Sequence, residues 1–199
     1  MSKLIVLEGL DNCGKDTQIG RLARWITRYG KGLKVVTIPS ITDTNLGIVL
    51  TRNKKYYTNP NQMIAMFIAD YYNKIKTIED NNDHSTLFIA NRWYYSTLAY
   101  SKDDSLYLPI KYLCGNTDIK PNVVFYLDIT VEESLKRQSN TSKGKDQYTN
   151  KETLKYAQKV YDMLLTDQTN KFVRVDGMAS MKQITDGIID YLKDINIIQ

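Results

Sequence analysis

Two kinds of hydrophobic pattern alternate along this chain. Short apolar-rich runs lie at residues 4–7, 34–38, 86–90, 122–128 and 172–175. Runs of this length predict strands buried on both faces, as in a parallel sheet. Between them apolar residues recur at helical spacing. Ile19, Leu22, Ala23 and Ile26 form one stripe, and Ile64, Phe67, Ile68, Tyr71 and Ile75 form another within residues 62–75. Further helices are predicted over 131–138, 151–165 and 181–192. Gly30 and Gly32 stop the first helix, and Pro39 cuts the second strand. Strands separated by helices throughout predict an α/β sandwich of three layers, built on a mainly parallel sheet of five strands. Residues 138–149 are polar, lack any apolar period and predict a mobile flap or lid.

Ligands of such sheets gather beyond the carboxyl ends of the strands. The first strand runs directly into Gly9-Leu10-Asp11-Asn12-Cys13-Gly14-Lys15, and a helical stretch follows. Glycines at this spacing let the backbone turn tightly, so that successive N–H groups point at one anion and the next helix adds its positive end. Lys15 supplies a mobile cation for outer phosphates. This strand–loop–helix arrangement predicts nucleoside triphosphate binding and a P-loop NTPase fold. The same loop usually closes with a Ser or Thr whose hydroxyl holds magnesium, whereas here Asp16 and then Thr17 follow the lysine.

Composition narrows the field. At 199 residues the chain suits one domain, and no internal repeat or interdomain linker divides it. The net charge of +5 comes without a long run of Lys or Arg, which suits an enzyme handling phosphates and gives no sign of a nucleic-acid-binding tail. Of two cysteines, Cys13 and Cys114, the first lies in the phosphate loop, where a disulfide would restrict the backbone. Reduced thiols and a cytoplasmic setting are therefore expected. His84, the single histidine, sits in a polar turn where neither a ligand role nor zinc chemistry is expected. No apolar stretch approaches the roughly 20 residues of a membrane span, and the chain starts straight into a strand rather than a cleavable signal.

The residues beyond the other strands complete the pattern. Pro39-Ser40 follows the second, Asn91-Arg92-Trp93-Tyr94-Tyr95-Ser96 with Ala99-Tyr100 follows the third, and Asp128 leads to Glu133 and Arg137 after the fourth. Together with Glu8 to Lys15, Gln18, Phe67-Ile68-Ala69-Asp70, Asp146-Gln147-Tyr148 and Val175-Asp176, they span nearly the whole chain. In this order and spacing the chain resembles the thymidylate kinases, a family of P-loop nucleoside monophosphate kinases.

The resemblance implies transfer of the terminal phosphoryl group of ATP to a deoxynucleoside monophosphate, with dTMP the leading acceptor, Mg2+ as cofactor and a homodimer as the assembly. It implies catalytic roles for Lys15 on the transferring phosphoryl, Arg92 on the acceptor phosphate and Asp11 beside them. Gly9, Asn12, Cys13, Gly14, Asp16, Thr17 and Arg137 would join Lys15 in holding ATP, with Lys143 and Lys145 approaching when the flap closes. Pro39, Phe67, Tyr71, Ser96, Tyr100 and Tyr148 would line the acceptor pocket. Plainer readings stand beside several of these: Phe67 lies on an apolar stripe and fits core packing, Tyr100 fits a buried aromatic with its hydroxyl satisfied, and Asp11 fits a turn cap.

Four positions depart from the family pattern. Asp16 replaces the magnesium-binding hydroxyl, and Asn91 replaces the aspartate before the arginine. Tyr71 replaces an arginine that meets the base edge, and residues 37–41 lack an arginine that helps hold the acceptor phosphate. The first pair bears on metal, which Asp16 and Asn91 would hold together. The second bears on the acceptor. Asp16 and Asn91 together leave open a non-catalytic nucleotide-binding protein, and Tyr71 a kinase for another or modified deoxynucleotide.

Overall fold

The computed structural model describes residues 2–53, 59–140, 150–167, 169 and 171–199. Five parallel strands form one sheet: β1 (Lys3–Glu8), β2 (Lys34–Ile38), β3 (Thr86–Asn91), β4 (Val123–Asp128) and β5 (Phe172–Asp176), in the order β2-β3-β1-β4-β5. Each lies within a residue or two of its predicted bounds. β1, β3 and β4 form the middle, and their near-continuous burial matches the unbroken apolar runs that predicted them.

The helices are α1 (Lys15–Tyr29), α2 (Asn45–Asn53), α3 (Pro60–Asp80), α4 (Tyr94–Tyr100), α5 (Tyr107–Gly115), α6 (Val131–Ser139), α7 (Lys151–Thr166) and α8 (Met181–Asp194). α1 buries Ile19, Leu22 and Ile26, the stripe read from the sequence, and ends where the Gly30 N–H donates to Ile26 O. α3 runs longer than its stripe predicted, and α2, α4 and α5 had no counterpart in the predicted elements. Side-chain caps fix four other starts: Asn59 accepts from the Asn61 N–H, Thr130 from Glu133, Asn150 from Thr153, and Ser180 forms a reciprocal capping box with Gln183.

Packing brings α4 against α7 on one side of the sheet and α1 against α8 on the other. The predicted flap reaches from Gln138 into residues 141–149, and that part, including Lys143, Lys145 and Tyr148, lies outside the described residues. Among the described residues no helix is long and apolar enough to cross a membrane.

Candidate active site

β1 delivers the chain into the loop as a buried strand, and the loop turns on residues with positive φ: Gly9 at 142°, Asn12 at 61° and Gly14 at 101°. Gly9 has a second reason to be glycine, because a Cβ there would meet Leu127 O at 2.7 Å and Cys13 Sγ at 2.8 Å. Gly14 is the N-cap of α1 and brings no capping side chain, so the helix start is left to whatever the loop holds. Lys15 folds back into the loop, buried, with Nζ donating to Gly9 O (3.1 Å) and Leu10 O (2.8 Å) and touching Cys13 Sγ (3.3 Å).

β3 lies beside β1 and ends at Asn91, so Arg92 arrives next to the loop. Its guanidinium pairs with the Asp11 carboxylate and donates to Gly9 O (3.2 Å) and Ser96 Oγ (2.9 Å), while its carbon lies 5.2 Å from the centre of the Tyr100 ring. Arg92 also holds φ at 65°, a left-handed conformation costing a non-glycine residue of order 1–3 kcal/mol. The surroundings must hold it there.

A buried carboxylate does part of this. Glu8, fully buried at the end of β1, accepts from the Trp93 N–H (2.7 Å), Ser96 Oγ (2.6 Å) and the Tyr161 hydroxyl (2.8 Å). Burial and the Glu8 charge push the Tyr161 pKa up, so its hydroxyl remains a donor. Lys74, on α3, is buried beneath the same corner and donates to the carbonyls of Asn91 (3.4 Å) and Arg92 (3.2 Å). Burial lowers its ammonium to about 8, against the opposing pull of Asp70 and Glu8.

The far side of the loop is braced by α6. Ser134 Oγ donates to Asp11 O (2.6 Å), and Arg137 donates to Asn12 O (3.5 Å), Cys13 O (3.4 Å) and Gly177 O (3.2 Å). The Asp11 N–H donates to the Tyr100 hydroxyl at 3.0 Å.

Two of the departures meet directly. Asp16, on the exposed first turn of α1 beside exposed Thr17, accepts from Asn91 Nδ2 at 2.6 Å. The other amide atom, Asn91 Oδ1, is buried without a hydrogen-bond partner. The exposed Asp16 carboxylate is a hard oxygen donor that suits Mg2+, which takes one or two protein oxygens and leaves the rest to water and phosphate. The Asn91 amide turns its NH2 to Asp16 and its closed-off oxygen away, so the two are not placed to hold the ion together as expected.

The expected acceptor pocket is less uniform. Ser96 and Tyr100 stand at the Arg92 corner, Phe67 is half-buried on α3, and Pro39 is exposed just beyond β2. Tyr71 is turned inward. Its hydroxyl donates to Cys114 O (2.8 Å) and meets Thr117 Oγ1 (3.1 Å), and its ring packs edge-on against Trp93 and Tyr94 in the seam of α3, α4 and α5.

Sequence reasoning gave no role to Glu8, Lys74 or Tyr161. The signal for the first two was present: a carboxylate closing an apolar strand, and a lysine on the buried face of a helix between Tyr71 and Ile75. Tyr161 offered none, since it meets Glu8 from 153 residues away.

Known proteins are similar to this chain over nearly its whole length. The family model described as thymidylate kinase matches residues 7–188. A probable thymidylate kinase of Methanosphaera stadtmanae is 28% identical over 199 residues, covering 95% of this chain and 98% of its own. Another, from Thermococcus kodakarensis, is 33% identical over 144 residues, covering 67% of this chain and 69% of its own. The solved structure of thymidylate kinase from Candida albicans superposes with a TM-score of 0.75 over 98% of this chain and 92% of that one, at 20% identity, and so shares the fold. The chain belongs to the thymidylate kinase family, phosphotransferases that move a phosphoryl group from ATP to dTMP.

Proposed function

We propose that this chain catalyses that transfer, giving dTDP and ADP, as a single kinase domain in which Lys15, Arg92 and Asp11 carry the chemistry. The observation behind this reading is the link from Arg92 to Asp11 and Gly9, which ties the residue after β3 to the phosphate loop. Phosphoryl transfer asks a protein mainly for alignment of donor and acceptor and for positive charge where negative charge spreads. The loop N–H groups and the start of α1 hold the donor phosphates, for which Lys15 exchanges its carbonyl partners. Arg92 meets the acceptor phosphate. Asp11 orients the Arg92 guanidinium and faces the acceptor sugar, and Ser96 and Tyr100 shape the wall beside it.

Asp16 would hold Mg2+, directly or through water, with the Asn91 amide steadying its carboxylate. An ion held there would neutralise phosphate charge. Arg137 steadies the loop from behind through its bonds to Asn12 and Cys13. A homodimer follows from the family likeness, and sedimentation at micromolar concentration tests it.

Tyr71 supports a second reading, in which acceptors other than dTMP also react. Its hydroxyl is occupied by Cys114 and Thr117, so it does not replace the charged fork that meets the base edge elsewhere in the family. A site that does hydrogen-bond a substrate group rejects analogues lacking it by about 10⁴-fold or more. The experiment is ADP release with ATP and Mg2+ across dTMP, dUMP, dCMP and 5-substituted analogues. We expect turnover of dTMP, with kcat/KM for dCMP, whose base edge differs, within about a hundredfold of it, the scale of discrimination by apolar contact alone. No turnover of any acceptor would leave a nucleotide-binding protein without catalysis.

A further inference from the structure

The structure assigns Lys74 as a positioning residue for Arg92. This inference rests on the reading of Arg92 as the acceptor-phosphate clamp. Arg92 combines two demands: its guanidinium must hold one orientation across the loop, and its backbone sits in the left-handed region. The peptide groups on both sides of its Cα therefore need fixing, and Lys74 Nζ donates to the carbonyl on each side, at Asn91 O (3.4 Å) and Arg92 O (3.2 Å). A buried ammonium bound to two carbonyls is a charge-assisted clamp with little freedom to relax.

The neighbours of Lys74 leave it no simpler purpose. Asp70, one turn back on α3, directs both carboxylate oxygens to Thr42: Oδ1 accepts from its N–H (3.1 Å) and its hydroxyl, and Oδ2 from the same N–H (3.3 Å). Glu8 is committed to Trp93, Ser96 and Tyr161. α3 thus reaches the acceptor side through two successive turns. Asp70 anchors the chain after β2, and Lys74 anchors the chain after β3. The segment after β2 carries no arginine at residues 37–41, which leaves Arg92 with more of the acceptor phosphate to hold and raises the importance of its orientation.

The test is a double-mutant cycle in the full-length protein with ATP, Mg2+ and dTMP. Lys74→Met keeps the apolar stem and removes the ammonium, and Lys74→Gln keeps a donor able to reach one carbonyl. We expect Lys74→Met to raise KM for dTMP by about tenfold or more while KM for ATP stays within about twofold, with Lys74→Gln in between. In an Arg92→Ala background, Lys74→Met should add less than about twofold, because residues that act as a unit are not additive. Equal losses for both substrates, additive losses, or no loss in Lys74→Met each overturn the inference. Should Lys74→Met fail to fold by circular dichroism, Lys74→Gln decides alone; if neither folds, Lys74 serves the core and the inference is wrong. Arg92→Ala measured by itself separates the two readings, since an unchanged dTMP KM there removes the clamp itself.

Discussion

On the proposed reading, charge carried by single side chains dominates this site. That reading puts Lys15 and Arg92 where negative charge spreads during transfer, so Lys15→Ala and Arg92→Ala are each expected to lower turnover by at least about a hundredfold in steady-state assays. A near-native rate in either variant would strip that residue of its role. The contact between Asp16 and Asn91 bears on a different question. Family members carry a hydroxyl after the loop lysine and a carboxylate before the arginine, whereas here the carboxylate stands on the loop side and its amide partner donates to it at 2.6 Å. The formal charge is conserved across the site. If the carboxylate has changed sides, Asp16→Thr alone is nearly inactive with magnesium, and adding Asn91→Asp restores much of the rate. An Asp16→Thr enzyme that equals the native one would instead mean that Asp16 only caps α1 and repels the triphosphate.

Elements became legible in proportion to how regular their burial is. The central strands are enclosed on both faces and read directly as apolar runs, while α1 and α8 show clean one-sided stripes. α4 has seven residues, too few to show a period, and although Tyr94, Tyr95, Leu98 and Ala99 share its buried face, Ser96, Thr97 and Tyr100 round the rest of it are half-buried too. α2 and α5 are nine-residue helices whose apolar residues are spread round the axis. The site divides the same way. The phosphate loop is contiguous and was readable; the Glu8 and Lys74 contacts join residues from separate elements and needed the fold.

The ion pair between Lys111 of α5 and Asp167, just past α7, gives the element scale a pH signature. Lys111 Nζ lies 2.8 Å from Asp167 Oδ2, and Thr169 bonds Oδ1, which together lower the carboxyl from 3.8 to about 2. A carboxyl depressed in the folded state stabilises above its unfolded pKa and loses that effect as pH falls through the folded value. Solvent screening limits the contribution to about 1 kcal/mol or less. Urea midpoints for the native protein and Asp167→Asn should therefore differ at pH 6 and converge as the pH approaches 2. A constant difference over that range would mean the pair contributes nothing through its charge.

At the scale of the whole molecule, the phosphate loop, the Arg92 corner and the α6 brace hang from the ends of three adjacent strands. β1 carries Glu8 and the loop, β3 carries Asn91 and Arg92, and β4 leads to α6 with Ser134 and Arg137. Strand order and parallel direction bring these ends together. Neither adjacency follows from chain order, since β2 lies outside β3 and β1 sits between strands that come much later in the sequence.

That central position has a consequence during synthesis. Residues 3–8 are made well before their two neighbours in the sheet, residues 86–91 and 123–128. Until then Leu4, Ile5, Val6 and Leu7, all buried in the finished protein, have no sheet to enter and are open to wrong partners. The loop that follows them shares the delay, since Gly9 packs against Leu127. A nascent chain that stops short of β4 carries every residue of the phosphate loop and none of its shape.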